Sequence, residues 1–336
     1  VEQTKRDAKM NIGRKVLSVI LFSSAGIVFA APGGGSLPKV IDTLVVGGTG
    51  GWDYVSCDPQ ARRLYVSHEN RVEVVDIDAR KKVGEIANTN GVHGIALAVA
   101  EGRGFTSNGK DNSVTVFSLK TLAVEKVIPG TGKKPDAILY EPRTHRVLAF
   151  NGGTENVTVV DAKTLDVAGT LALGGTPESA VADESGMVYV NIENKNEVVV
   201  FDAASLTIKS RWPIAPGGTP TGMAMDLKNR RLFIGGRNQT LVIMDADNGT
   251  VVANFPIGKG VDAVSFDPSS GLIGVSNKDG SFDVVKETGP NEFTVLGKVQ
   301  TLQGAKTHVL DAVHHTYFFP AARTPGGEMI LIVAGM

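Results

Sequence analysis

The chain has 336 residues, 42% of them hydrophobic and 21% charged, with 40 glycines, one cysteine and a formal charge of −1. This is a globular composition with glycine raised by many turns, and a lone cysteine, Cys57, excludes an internal disulfide. Near-neutral charge gives no support to nucleic-acid binding, which calls for a clear basic patch; Lys133-Lys134 and Arg230-Arg231 are only small basic spots.

Residues 10–30 read as an export signal. Arg14 and Lys15 precede the apolar run Val16 to Phe29, and Val28-Phe29-Ala30 offers a small-residue cleavage site. The apolar run is shorter than the ~20 residues that a membrane-spanning helix needs. Residues 1–9 are read as an upstream or tag-like segment, 31–38 as a flexible leader and 39–336 as one domain. A periplasmic or secreted monomer with no membrane span after cleavage is the expectation. Residues 1–30 carry five Lys/Arg and two Asp/Glu, so the remainder has a formal charge of −4.

Two anchors recur along that remainder. Third strands close on Val75-Asp76, Phe117-Ser118, Val160-Asp161, Phe201-Asp202, Met244-Asp245 and Val285-Lys286, in steps of 41–43 residues. First strands open on Asp53, His93, Asp136, Glu178, Thr221, Asp262 and His308, in steps of 40–46. An acid often follows five positions later, as at Asp58, Glu141, Asp183, Asp226 and Asp267. Such a period, filled with about four short strands of alternating Val, Ile, Thr and Phe, marks a β-propeller blade and excludes a helical repeat. Seven blades are expected. Val40–Val46 is expected to pair with Met329–Val333 as the outermost strand of blade 7, closing the ring and removing a free sheet edge. Lys286–Lys298 reads as a longer exit from blade 6.

Tyr65-Val66-Ser67, Tyr189-Val190-Asn191, the Val-x-Val-x-Asp strand ends and the Gly-x-x-Pro linkers resemble the YVTN-repeat β-propellers of bacteria and archaea. The resemblance spans about residues 39–336. It implies an all-β, WD40-like, seven-bladed propeller that is exported and binds protein partners or ligands without catalysis, although at least one such protein is described as binding DNA.

Several chemistries find no footing. GGTGG at 47–51 and PGTGKK at 129–134 lack phosphate-loop spacing, and neither a Cys-x-x-Cys-His nor a Gly-x-Ser-x-Gly motif occurs. Cys57 falls on the first strand of blade 1, where an inert thiol is expected. The seven strand-opening residues are the notable set, because the first strand of each blade lines the channel and its start faces one mouth. Blades 7, 1 and 2 are consecutive, which would place His308, Asp53 and His93 together with His68 nearby. Two imidazoles and a carboxylate form a recognised shell for Zn²⁺, Fe²⁺ or Mn²⁺, and a Ca²⁺ site is a further possibility. A second ring is expected at the ends of the second strands: His68, Asn108, Asn151, Asn191, Gly236 and Asn277. Carboxylates combined with these amides would suit a hydrated cation or a polyol. The sequence therefore points to a binding propeller for a protein partner or small polar ligand, with Asp53, His68, His93, Asp136, Glu178, Asp262, His308, Asn108, Asn151 and Asn191 as candidate contacts. A lactonase-like, metal-dependent hydrolase is the alternative.

Overall fold

The computed structural model describes residues 36–336; the expected export signal, the upstream segment and most of the leader lie outside the described residues. Seven four-stranded antiparallel sheets surround a channel. Blade 1 runs from inside to outside as Trp52–Asp58, Arg63–His68, Arg71–Asp76 and Lys81–Ile86, and blades 2 to 6 repeat that order. Their inner strands are Val92–Ala98, Pro135–Glu141, Pro177–Ala182, Pro220–Asp226 and Val261–Asp267, with the short Val309–Asp311 in blade 7. Each inner strand touches the next around the axis, and blade 7 touches blade 1.

Blade 7 closes the ring as the sequence predicts. Lys39–Val45 pairs antiparallel with Met329–Gly335, Leu44 opposite Leu331 and Val45 opposite Ile330, as the outermost strand of that sheet. The exit from blade 6 differs from expectation. Residues 286–298 are not a loop, because Ser281–Gly289 and Glu292–Gln300 form one long hairpin with Lys286 opposite Thr294. The extra residues lengthen two strands.

Second and third strands are covered on both faces, which is why they read as nearly continuous apolar runs. Leu64, Tyr65, Val66, Val72, Val74 and Val75 are all at most 1% exposed. The core is divided among seven clusters, each shared by two adjacent blades. Leu148 and Phe150 of blade 3 pack with Val190 and Phe201 of blade 4. Leu44 and Leu331 of blade 7 pack with Leu64 and Val66 of blade 1. No blade buries its faces alone, so stability comes from neighbours.

Both sequence anchors have a local cause. Asp58 accepts from the amides of Gln60 and Ala61 at 3.1 and 2.9 Å, and Asp202 from those of Ala204 and Ser205 at 2.9 and 2.7 Å. An acid ending a strand thus shapes the turn after it. The residue before each second strand is left-handed: Arg62, Gly102, His145, Gly186, Arg230, Gly271 and His315 all have positive φ. In the odd blades this residue is a base that reaches an acid of the preceding blade. Arg62 meets Asp311 at 2.5 Å, His145 meets Glu101 at 2.6 Å, Arg230 meets Asp183 at 3.0 Å and His315 meets Asp267 at 2.7 Å. In the even blades it is glycine. Four side-chain latches therefore tie blades 7 to 1, 2 to 3, 4 to 5 and 6 to 7, and offset the cost of a left-handed non-glycine residue.

Inner strands crowd near the axis. A Cβ at Gly222 would lie 2.7 Å from the Cα of Ala263 in the next blade, with backbone rather than a flexible side chain in the way. Gly222→Ala should therefore cost about 2–3 kcal/mol in denaturant unfolding, whereas a cost below about 0.5 kcal/mol would mean that the blades part easily.

Candidate ligand site at the channel mouth

The mouth is built from backbone outward. The carbonyls of four strand-opening residues are held by polar side chains of the preceding blade. Thr307 donates to the Asp53 carbonyl at 2.5 Å, Ser276 to that of Lys306 at 2.7 Å and Asn191 to that of Thr221 at 2.7 Å; Ser107 donates to that of Asp136. With the carbonyl fixed, the direction of the side chain is fixed too.

Those side chains form a mixed ring of charge. Lys306 donates to Asp53 at 2.9 Å and to Asp262 at 2.5 Å. His93 Nδ1 donates to Asp53 Oδ2 at 2.7 Å and lies 3.9 Å from Asp136 Oδ1. Arg237 pairs with Glu193 at 2.8 Å and stands 3.8 and 3.7 Å from Glu178 and Asp262. Tyr54 reaches across the channel from blade 1 and packs on the apolar cluster of blades 3 and 4, flooring the ring. Along the inner strands, Val55, Ile95, Leu97, Ile138, Leu139 and Val309 line a cavity of 330 Å³. The mouth is charged, and the channel wall is largely apolar with Ser56 and Ser179 among its lining residues.

No family model and no curated protein sequence matches the chain. Solved propellers do match its shape. U3-55K superposes with a TM-score of 0.75 over 88% of this chain and 99% of its own, at 9% identity. The WD40 repeats of RRP9 superpose with a TM-score of 0.76 over 89% of this chain and 99% of theirs, at 8% identity. The likeness is one of fold.

Asp53, His93, Asp136, Glu178 and Asp262 do come together at one mouth; His308 does not. Its Nδ1 lies 2.8 Å from Ser276 Oγ, its Nε2 lies 2.7 Å from Ser265 Oγ, and Phe282 and Phe319 pack on its ring. Ser276 spends its proton on the Lys306 carbonyl, so His308 Nδ1 carries the hydrogen and Nε2 accepts: a neutral core imidazole. Burial pushes its pKa down to about 3. The expected trio of His308, Asp53 and His93 is thereby corrected. Among the described residues, the set whose ligand atoms fall within 4.8 Å of one another is Asp53, His93 and Asp136. A divalent ion there would have to displace Lys306 and the His93 hydrogen from Asp53.

Lys306 is the true opening residue of blade 7. It stands five positions before Asp311, as Asp53 does before Asp58 and Asp262 before Asp267. The acid anchor carries this signal, and His308 lies two residues further on. Thr221 is 2% exposed and bridges blades by donating to the Val261 carbonyl at 2.9 Å.

The expected second ring lies inside the blades. Asn108 bonds Ser113 and Thr115, Asn151 bonds Asn156 and Thr158, and Asn277 bonds Asp283, all three being fully buried. His68 is equally buried, with Nε2 donating to the Thr49 carbonyl at 3.0 Å and Nδ1 3.1 Å from Glu73. Asn191 is out of step with the others, since Ile192, opposite Pro177, ends its strand as His68 ends its own opposite Trp52. Residues one position later face the mouth instead, which is how Glu193 and Arg237 enter. Alternation along a strand makes one step the difference between core and ligand face. Cys57 is half-buried on the cavity wall, and burial pushes its thiol up to about 12, so the thiolate is disfavoured.

Acid exceeds base in the mouth. Burial raises Asp53, but the His93 bond and the Lys306 charge outweigh it and hold the group below its ordinary value. The Asp53 bond holds His93 above its own. Asp136 is raised to about 6 by burial, helped by Asp53 and Asp262 and opposed by His93. Glu178 rises to about 9 through burial and the charges of Asp136, Glu193 and Asp262, with Arg237 opposing. At neutral pH Glu178 keeps its proton in the folded state and loses it on unfolding, so stability falls as pH rises from about 4.5 towards 9. Glu178→Gln should then stabilise the protein by about 2 kcal/mol at pH 9, after allowance for solvent screening, and by little at pH 4. Equal effects at both pH values in denaturant melts would contradict this electrostatic account.

Proposed function

We propose that this protein is an exported, YVTN-type binding propeller that engages a partner or small polar ligand at the Asp53–Asp136–Glu178–Asp262 mouth and catalyses no reaction. The observation that carries the reading is the concentration of half-buried carboxyls, more numerous than the bases among them, at one end of the channel. Such an arrangement costs stability, and proteins retain costs of that kind where they bind. Shared fold with U3-55K and RRP9 leaves the choice of ligand open, because propellers host many functions. The hydrolase alternative draws less support, since Lys306 is already bonded to both Asp53 and Asp262 and the amides it would use sit within the blades. Export rests on residues 10–30, whose sequence has the order of a cleavable signal.

The test is site-directed photo-crosslinking of the full chain in cells that export it. A photoreactive residue at Glu69 or Lys278, both exposed beside the mouth, should give one discrete adduct in the exported fraction. The same residue at Val127, exposed on an outer strand, should give none. Adducts of equal yield at all three positions, or none at any, would contradict a mouth-directed binding role.

A further inference from the structure

Five carboxyls face three bases around the mouth: Asp53, Asp136, Glu178, Glu193 and Asp262 against His93, Arg237 and Lys306. The bases are not spread evenly. Lys306 and His93 are spent on Asp53 and Asp262, and Arg237 on Glu193, each within bonding distance. Asp136 and Glu178 are left without a donor, their nearest cations standing 3.9 and 3.8 Å away. They belong to adjacent inner strands, Pro135–Glu141 and Pro177–Ala182.

A second observation concerns the floor. The Tyr54 hydroxyl lies within electrostatic reach of Asp136, Glu178, Asp53 and Asp262, yet bonds to none of them. A phenol oxygen has lone pairs as well as a proton, and an aromatic ring offers a face to a cation. Two unserved carboxyls beside an unserved phenol form three sides of a seat for a group that brings several N–H donors and a positive charge.

We infer that the mouth seats an organic cation, an alkylammonium or a guanidinium, between Asp136 and Glu178 and above Tyr54. The inference rests on the mouth being the binding site and specifies the chemistry it takes. A divalent ion fits less well, because the carboxylate it would share with His93 already holds Lys306. An anion would meet surplus acid. The cation can arrive free or as the lysine or arginine side chain of a partner, and either source presents the same head.

Binding is coupled to the proton on Glu178. The groups that face it are Asp136, Glu193, Asp262 and Arg237, and a seated cation adds the positive charge that Arg237 supplies only at a distance. The carboxyl then ionises, its proton leaves to solvent, and affinity for a cation rises with pH up to the pKa of the free site.

The experiment is an NMR titration of the folded chain with n-butylammonium, n-butylguanidinium, n-butanol, butyrate, Ca²⁺ and Zn²⁺. A blocked peptide carrying one lysine, with its Nε-acetylated counterpart, distinguishes a side-chain source from a free amine. The two cations should shift Tyr54, Asp136 and Glu178 resonances saturably, and butylammonium affinity should rise roughly tenfold or more between pH 7 and pH 9. In Glu178→Gln that rise should shrink to below about threefold; Asp136→Asn, which should weaken binding while keeping the pH dependence, serves if the first variant does not fold. Butanol or butyrate binding as well as butylammonium, or Ca²⁺ or Zn²⁺ alone saturating the same resonances, would overturn the cation inference and leave the mouth as the binding site. No shift at the mouth with any probe would overturn both.

Discussion

Seven inner strands converge on one axis, and in six of them a side chain of the preceding blade bonds to the strand's backbone. The bond from Thr307 to the Asp53 carbonyl is the one on which ring closure and mouth geometry both turn. It joins the last blade to the first at the inner edge, while Lys39–Val45 joins them at the outer edge. Between those two seams the cluster of Leu44, Leu331, Leu64 and Val66 fills the interface. A ring held at both radii has no free blade, and its strand starts become a rigid circle of side chains.

Rigidity is what permits the charge arrangement. Like charges in a flexible loop would move apart or into water. Here the inner strands pack against one another around the axis, so Asp136 and Glu178 stay close and hold protons instead. The opposite face shows the same chemistry resolved the other way, with Arg62, His145, Arg230 and His315 each given a carboxylate of the neighbouring blade. One face is paired for stability, the other left in surplus.

The fold was legible because it is written seven times. Acids that cap strand ends recur in most blades, and apolar second and third strands in all of them, each with a local cause. The mouth was legible in part for the same reason: Asp53, His93, Asp136, Glu178 and Asp262 fall where the count puts them. It differs where a strand's start or end is displaced by a residue or two. Blade 7 opens at Lys306, five positions before Asp311, so His308 falls in the core and not at the channel mouth. The second strand of blade 4 ends at Ile192, one residue beyond Asn191. Arg237 and Glu193 were missed because side-chain direction reverses at every step. Tyr54 carried no signal in sequence, since crossing the channel depends on the width left by seven blades.

The central claim is that the mouth holds more carboxyl groups than its own bases can keep ionised. A ¹³C NMR titration of the Glu178 side-chain carboxyl measures that directly. The account predicts a midpoint near 9 in the ligand-free protein, and a midpoint at the ordinary value of 4.5 would contradict it.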